Sequence, residues 1–183
     1  MSLEIAVIVG SLRRDSFNRR IGQALARLAP ADLALFDVPI GDLPLYNQDD
    51  DGRPAPAVSA FKAAVARASG VIFLTPEYNR SVPGVLKNAI DHGSRPYGEG
   101  VWAGKPAGVI GVSPGSTGAA MAQAHLRPIL AFLDMPTLGQ PEAYLQWQDD
   151  LIDAEGGLGP RSREYLAGWM ARFADHVRLH AVR

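Results

Sequence analysis

The sequence predicts an α/β protein: a three-layer α/β/α sandwich on a five-stranded parallel sheet in the order 2-1-3-4-5. Three observations carry this. Strand-like and helix-like segments alternate along the chain, with no repeat and no low-complexity linker. The apolar runs at 4–9, 70–75 and 106–112 have no polar face, as a sheet covered by helices on both sides requires. Polar loops open from the carboxyl ends of those runs, where open α/β sheets hold their ligands. At 183 residues the chain fits one domain, 1–183, long enough to bury a full core.

The first strand, 4–9, starts so early that no signal peptide is expected, and with it a cytoplasmic location is expected. A polar loop follows, then an amphipathic helix over 17–29. The second strand, 32–36, is short and suits a sheet edge. Residues 37–56 form the one long irregular segment, rich in proline and carrying Asp49-Asp50-Asp51; loops of this length are usually functional or flexible. Its Asn47–Gly52 stretch starts like a calcium loop, but the twelfth position is Val58, which cannot supply the bidentate acid. A helix at 57–69 returns the chain to the third strand, 70–75, and a helix at 84–93 follows its loop. The fourth strand, 106–112, leads through a glycine-rich turn to a helix at 118–132. A short fifth strand is expected at 134–138 and a last helix at 160–179. Right-handed crossovers then place the topological switch point between the first and third strands.

Composition excludes several classes. With 18 basic and 19 acidic side chains, the net charge of -1 leaves no electrostatic footprint for nucleic acid. Cysteine is absent, so disulfides, thiolate metal sites and a cysteine nucleophile are excluded together. No apolar run approaches the ~18 residues of a membrane span. His176 and His180 lie one helical turn apart, but without a third ligand they read as a surface pair, and no metal is expected.

Three loops carry the chemistry. Gly10-Ser11-Leu12-Arg13-Arg14-Asp15-Ser16-Phe17-Asn18 brings two hydroxyls, an amide and a permanent cation to the start of a helix, where free backbone N–H groups add donors. Convergence of these groups makes an anion site suited to a phosphate monoester, whereas Ser16 as a simple helix cap and Arg13 in water is the bland alternative. G-x-G-x-x-G and the G-x-x-x-x-G-K-[ST] loop are both absent, so a dinucleotide pyrophosphate turn and a nucleoside-triphosphate loop are not supported. The second loop, from Pro76 to Pro83, holds Glu77, Tyr78 and Asn79 between two prolines, the composition of a rigid shelf for a flat ring. A monophosphate with a planar ring reaching that shelf fits a flavin mononucleotide best.

The third loop, Gly111-Val112-Ser113-Pro114-Gly115-Ser116-Thr117-Gly118, spells G-x-S-x-G, the serine-hydrolase elbow. That elbow needs the backbone N–H of the residue after the serine. Here the residue is Pro114, which has none, so Ser113 is not read as a nucleophile. Donors of the glycine-rich turn could instead meet the polar edge of a flavin ring, or Ser116 or Thr117 could simply cap the next helix.

The three loops together resemble the NAD(P)H-dependent FMN reductase family of flavodoxin-like proteins, which includes quinone- and chromate-reducing members. The resemblance rests on Gly10–Arg13 with Ser16–Asn18, on Thr75–Asn79 with Val82–Asp91, and on Leu43–Asn47 and Gly104–Pro106. It spans roughly residues 4 to 135; from Gln140 onward no family feature is visible. It implies that Ser11, Arg13, Ser16, Phe17 and Asn18 surround the FMN phosphate and ribityl chain, that Pro76, Glu77, Tyr78 and Asn79 line the isoalloxazine, and that Ser113 and Gly115 approach the ring edge. It further implies NADPH or NADH as donor, a small-molecule acceptor such as a quinone or flavin, and ping-pong hydride transfer with no catalytic side chain.

A homodimer or homotetramer is implied as well. The 93–102 segment, with Tyr97 and Trp102, would help wall the partner's flavin pocket; packing of both aromatics onto their own domain is the alternative. Two rivals stay open for function: a flavodoxin-type FMN electron carrier without nicotinamide turnover, and a phosphate-binding module without flavin. The near-neutral charge favours the enzyme over a carrier, which commonly presents an acidic docking face.

Overall fold

A computed structural model describes residues 2–180. Five strands, β1 (Leu3–Val9), β2 (Leu33–Asp37), β3 (Gly70–Thr75), β4 (Ala107–Ser113) and β5 (Ala143–Gln146), form one sheet. All neighbours are parallel, in the order β2-β1-β3-β4-β5. The helices are α1 (Phe17–Ala26), α2 (Pro56–Arg67), α3 (Gly84–Gly93), α4 (Ala120–Phe132) and α5 (Pro160–His180).

The alternation of side chains across each strand divides the interior into two layers. Ile5, Val7 and Val9 of β1 and Ile72 and Leu74 of β3 face Ile21 and Leu25 of α1 and Leu166, Trp169, Phe173 and Val177 of α5. Ala6, Ile8, Val71 and Phe73 face Phe61, Val65, Leu86, Ile90, Leu126 and Leu130 from α2, α3 and α4. The unbroken apolar runs are thus read out as two opposite faces, both covered. Gly108 of β4 lets α5 approach: a Cβ there would lie 2.7 Å from Trp169, whose ring stacks on Phe173 at 5.3 Å.

The expected fifth strand at 134–138 is corrected. Met135 and Leu138 are buried, which is what the apolar pattern registered, but the segment makes a single bridge, Ala107 with Thr137. Pro136 offers no N–H for a ladder. The fifth strand is instead Ala143–Gln146, alternating buried and exposed as an edge strand does. Its register sets Leu145 beside Val112 and Gln146 beside Ser113. The next residue, Trp147, therefore arrives at the third loop.

Trp102 is also corrected as an interface anchor. It is 1% exposed, sits between Phe61 and Phe73, and donates Nε1–H to the Ile90 carbonyl at 2.9 Å. Tyr97, by contrast, is 93% exposed. His176 and His180 bind carbonyls, with His176 Nε2 2.8 Å from Pro136 O and His180 Nδ1 2.8 Å from His176 O.

Candidate functional site

At the carboxyl end of the sheet the loops after β1, β3 and β4 enclose a cleft of about 150 Å³. Of the residues singled out in the sequence, Ser11, Arg13, Ser16, Phe17, Asn18, Pro76, Glu77, Tyr78 and Ser113 line it, joined by Val112 and Pro114. Asn79 and Gly115 do not line it.

The first loop presents donors. Ser16 is the N-cap of α1, its Oγ accepting the N–H of Arg19 at 3.3 Å, and Ser11 Oγ accepts the N–H of Arg13 at 3.3 Å. Both serines are nearly buried, and among the described residues neither hydroxyl proton is spent. The N–H groups of Phe17 and Asn18, in the first turn of α1, find no acceptor among the described residues either. Arg13 gives Nε–H to the Asp15 carbonyl at 2.9 Å, with Nη2 on the same oxygen, and its guanidinium lies 4.4 Å from the Phe17 ring centre. A group of acceptors only, such as a phosphate, matches this donor set.

Asn18 is committed to the sheet. Its Nδ2 donates to Val112 O at 3.0 Å and its Oδ1 accepts from Val112 N at 3.2 Å, with the residue 2% exposed. The side-chain amide expected among the donors thus ties the first loop to β4.

The second loop is shaped by a tight turn. Tyr78 and Ser81 exchange both backbone hydrogen bonds at 3.0 Å, with Asn79 and Arg80 between them at φ 50° and 68°. Two positive φ values define a type I′ turn, which suits asparagine and strains an arginine. Tyr78 is left 48% exposed at the mouth of the cleft.

Glu77 has a partner that nothing in the sequence marks. Its Oε2 accepts the N–H groups of Met121 at 3.0 Å and Ala122 at 3.3 Å, capping α4. The expected caps, Ser116 and Thr117, do not serve: the N-cap is Ala119, at φ 65° and with no side-chain cap of its own. In the third loop Ser113 Oγ accepts the N–H of Gly115 at 3.0 Å, so that donor is turned inward. Gly118, at φ 56°, lies so close to β5 that a Cβ would sit 2.6 Å from the Tyr144 carbonyl carbon. No histidine lines the cleft, and Ser113 has no general base there.

A further aromatic borders the site. The Trp147 ring stacks on Phe17 with centroids 4.0 Å apart and planes 16° from parallel. Its backbone N–H donates to Ser113 O at 2.8 Å, and the Arg20 guanidinium lies 4.8 Å from the ring.

Comparison with known proteins shows the family and agrees with the fold. The family model described as NADPH-dependent FMN reductase matches residues 3–149. A 2-hydroxy-1,4-benzoquinone reductase of a Burkholderia species is 51% identical over 97% of this chain and 98% of its own length. A quinone reductase of Pseudomonas putida is 50% identical over 96% of this chain and 95% of its own. Among solved structures, the flavoenzyme NAD(P)H:(acceptor) oxidoreductase FerB from Paracoccus denitrificans superposes with a TM-score of 0.93 at 42% identity, covering 97% of this chain and 98% of that one.

Proposed function

The chain belongs to the NADPH-dependent FMN reductase family, and from that membership we propose how its own residues perform the family's work. It is an NAD(P)H-dependent oxidoreductase with FMN as cofactor. Its acceptor is proposed to be a quinone, flavin or similar small molecule, as the names of the two bacterial relatives support.

One observation carries the site assignment: the unspent hydroxyls of Ser11 and Ser16, the free N–H groups of Phe17 and Asn18, and Arg13 all border one cleft. These groups would hold the FMN phosphate, Arg13 by charge and the rest by hydrogen bonds. The cleft then opens past Pro76, Glu77, Tyr78 and the Asn79 turn, which would support the isoalloxazine, with Ser113 near its edge; Gly115, whose N–H is held by Ser113 Oγ, is not among the groups that would meet the ring. When bound, FMN supplies the chemistry, a two-electron hydride exchange between nicotinamide and acceptor that uses one face in turn. The chain's residues bind and orient. Glu77, the one carboxylate lining the cleft, is spent on α4 rather than held free as a base.

Residues 1–183 are proposed to act as one FMN-binding domain in the cytoplasm; no helix among the described residues is long and apolar enough to cross a membrane. A homodimer or homotetramer is proposed, supported by Leu45 at 86% exposure and Tyr97 at 93%, two large apolar side chains on loops. Light scattering at micromolar concentration checks this, and a clean monomer with full activity would contradict it.

Steady-state oxidation of NADH or NADPH by the FMN-loaded protein, with a benzoquinone as acceptor, tests the function. Parallel double-reciprocal lines are expected for a ping-pong cycle. Bound FMN with no nicotinamide oxidation would make the protein a carrier instead.

A further inference from the structure

Trp147 follows β5 near the end of the residues that the family model matches, 3–149, and its place is fixed from three sides. The hydrogen bond from its backbone to Ser113 O continues the β4–β5 ladder by one residue. Gln146, just before it, donates Nε2–H to Pro114 O at 3.3 Å. Arg20, one turn along α1 from Phe17, sets its guanidinium against the indole. The indole thus belongs by its backbone to the third loop and by its ring to the first.

We propose that Trp147 is a positioning residue for the phosphate end of the flavin site: stacked on Phe17, it fixes the ring on which the Arg13 guanidinium rests. The proposal builds on the FMN assignment given above. Arg13 lies on an exposed loop with a long side chain, and ordering such a chain on binding costs affinity. Here it is ordered in advance by the Asp15 carbonyl and by the Phe17 face. Phe17 is itself only partly buried, in the first turn of α1, and the stack with Trp147 is what keeps its ring from turning. An aromatic pair of this geometry adds a preference beyond the area it covers, and so does a cation over the ring.

Two binding constants, for FMN and for riboflavin, and the ratio between them separate this role from plain packing. Riboflavin lacks the phosphate, so loosening Arg13 penalises FMN alone. Trp147→Leu keeps apolar bulk and loses the π face. It is expected to weaken FMN binding roughly 5- to 20-fold while riboflavin changes by less than about twofold. Trp147→Phe restores most of the FMN preference. In an Arg13→Ala background Trp147→Leu adds less than about twofold, because the two residues act as one unit. Trp147→Met gives the same comparison should the leucine variant fail to fold.

A wild-type protein with no preference for FMN over riboflavin would overturn the phosphate assignment and this proposal with it. A wild-type preference that survives in Trp147→Leu, or equal losses for both ligands, would overturn the positioning role alone.

Discussion

Asn18 and Val112 exchange two hydrogen bonds across the mouth of the sheet, amide to carbonyl at 3.0 Å and backbone N–H to amide oxygen at 3.2 Å. This pair joins the start of α1 to the end of β4, and so holds the first and third loops at a fixed spacing. Asn18→Ala would leave both Val112 groups buried without partners, a loss of roughly 2–4 kcal/mol in denaturant unfolding. Asn18→Asp keeps the acceptor but turns a carboxylate oxygen on the Val112 carbonyl, and is expected to be at least as damaging. An alanine variant as stable as wild type would show that the pair is incidental.

Arg13→Ala is expected to weaken FMN binding by roughly 1.5–3 kcal/mol and riboflavin binding far less, because only FMN carries the phosphate dianion. Fluorescence titration with both ligands reads the difference. Equal losses would place the Arg13 charge elsewhere.

Glu77 ties the ring-supporting loop to α4 through Met121 and Ala122. Removing a helix cap costs about 1 kcal/mol, so Glu77→Ala should lose about that much stability. Glu77→Gln keeps an acceptor oxygen and should lose less. Identical losses in the two variants would show that the capping oxygen is not what matters.

The parts of the site written in contiguous residues were legible in the sequence; the parts made by distant contacts were not. Ser11 to Asn18 form a loop and a helix start, so their clustering follows from local chemistry, and α1 does begin at Phe17 with Ser16 as its cap. Two-faced apolar runs fixed the central strands, with β3 at the expected residues. The fifth strand was misplaced because Met135 and Leu138 are buried like strand residues, whereas Ala143–Gln146 has one apolar face and is only four residues long. Glu77 capping α4 and Trp147 stacking on Phe17 both link residues far apart in the chain, and no local pattern announces them.

His176 gives the fold a pH dependence. Burial lowers its pKa from the usual 6.5 and the neighbouring His180 adds to this, while the hydrogen bond to the Pro136 carbonyl opposes it. As pH falls below about 6.5 the unfolded chain takes up the proton before the folded one, so stability present above that pH is lost toward the folded-state pKa. Unfolding midpoints should therefore drop between about pH 7.5 and 5.5, and His176→Gln, which can still donate to Pro136, should flatten the drop. An unchanged slope in that variant would assign the effect to other groups.

The location of bound FMN is the most direct check on the whole account, and a crystal structure of the FMN complex measures it. The phosphate is expected within hydrogen-bonding distance of Ser11, Arg13, Ser16 and the first N–H groups of α1, with the ring against Pro76 to Tyr78. A phosphate bound away from Ser11–Asn18, for example in the larger cavity of about 280 Å³ lined by Tyr46, Arg53, Lys62 and Arg95, would contradict it.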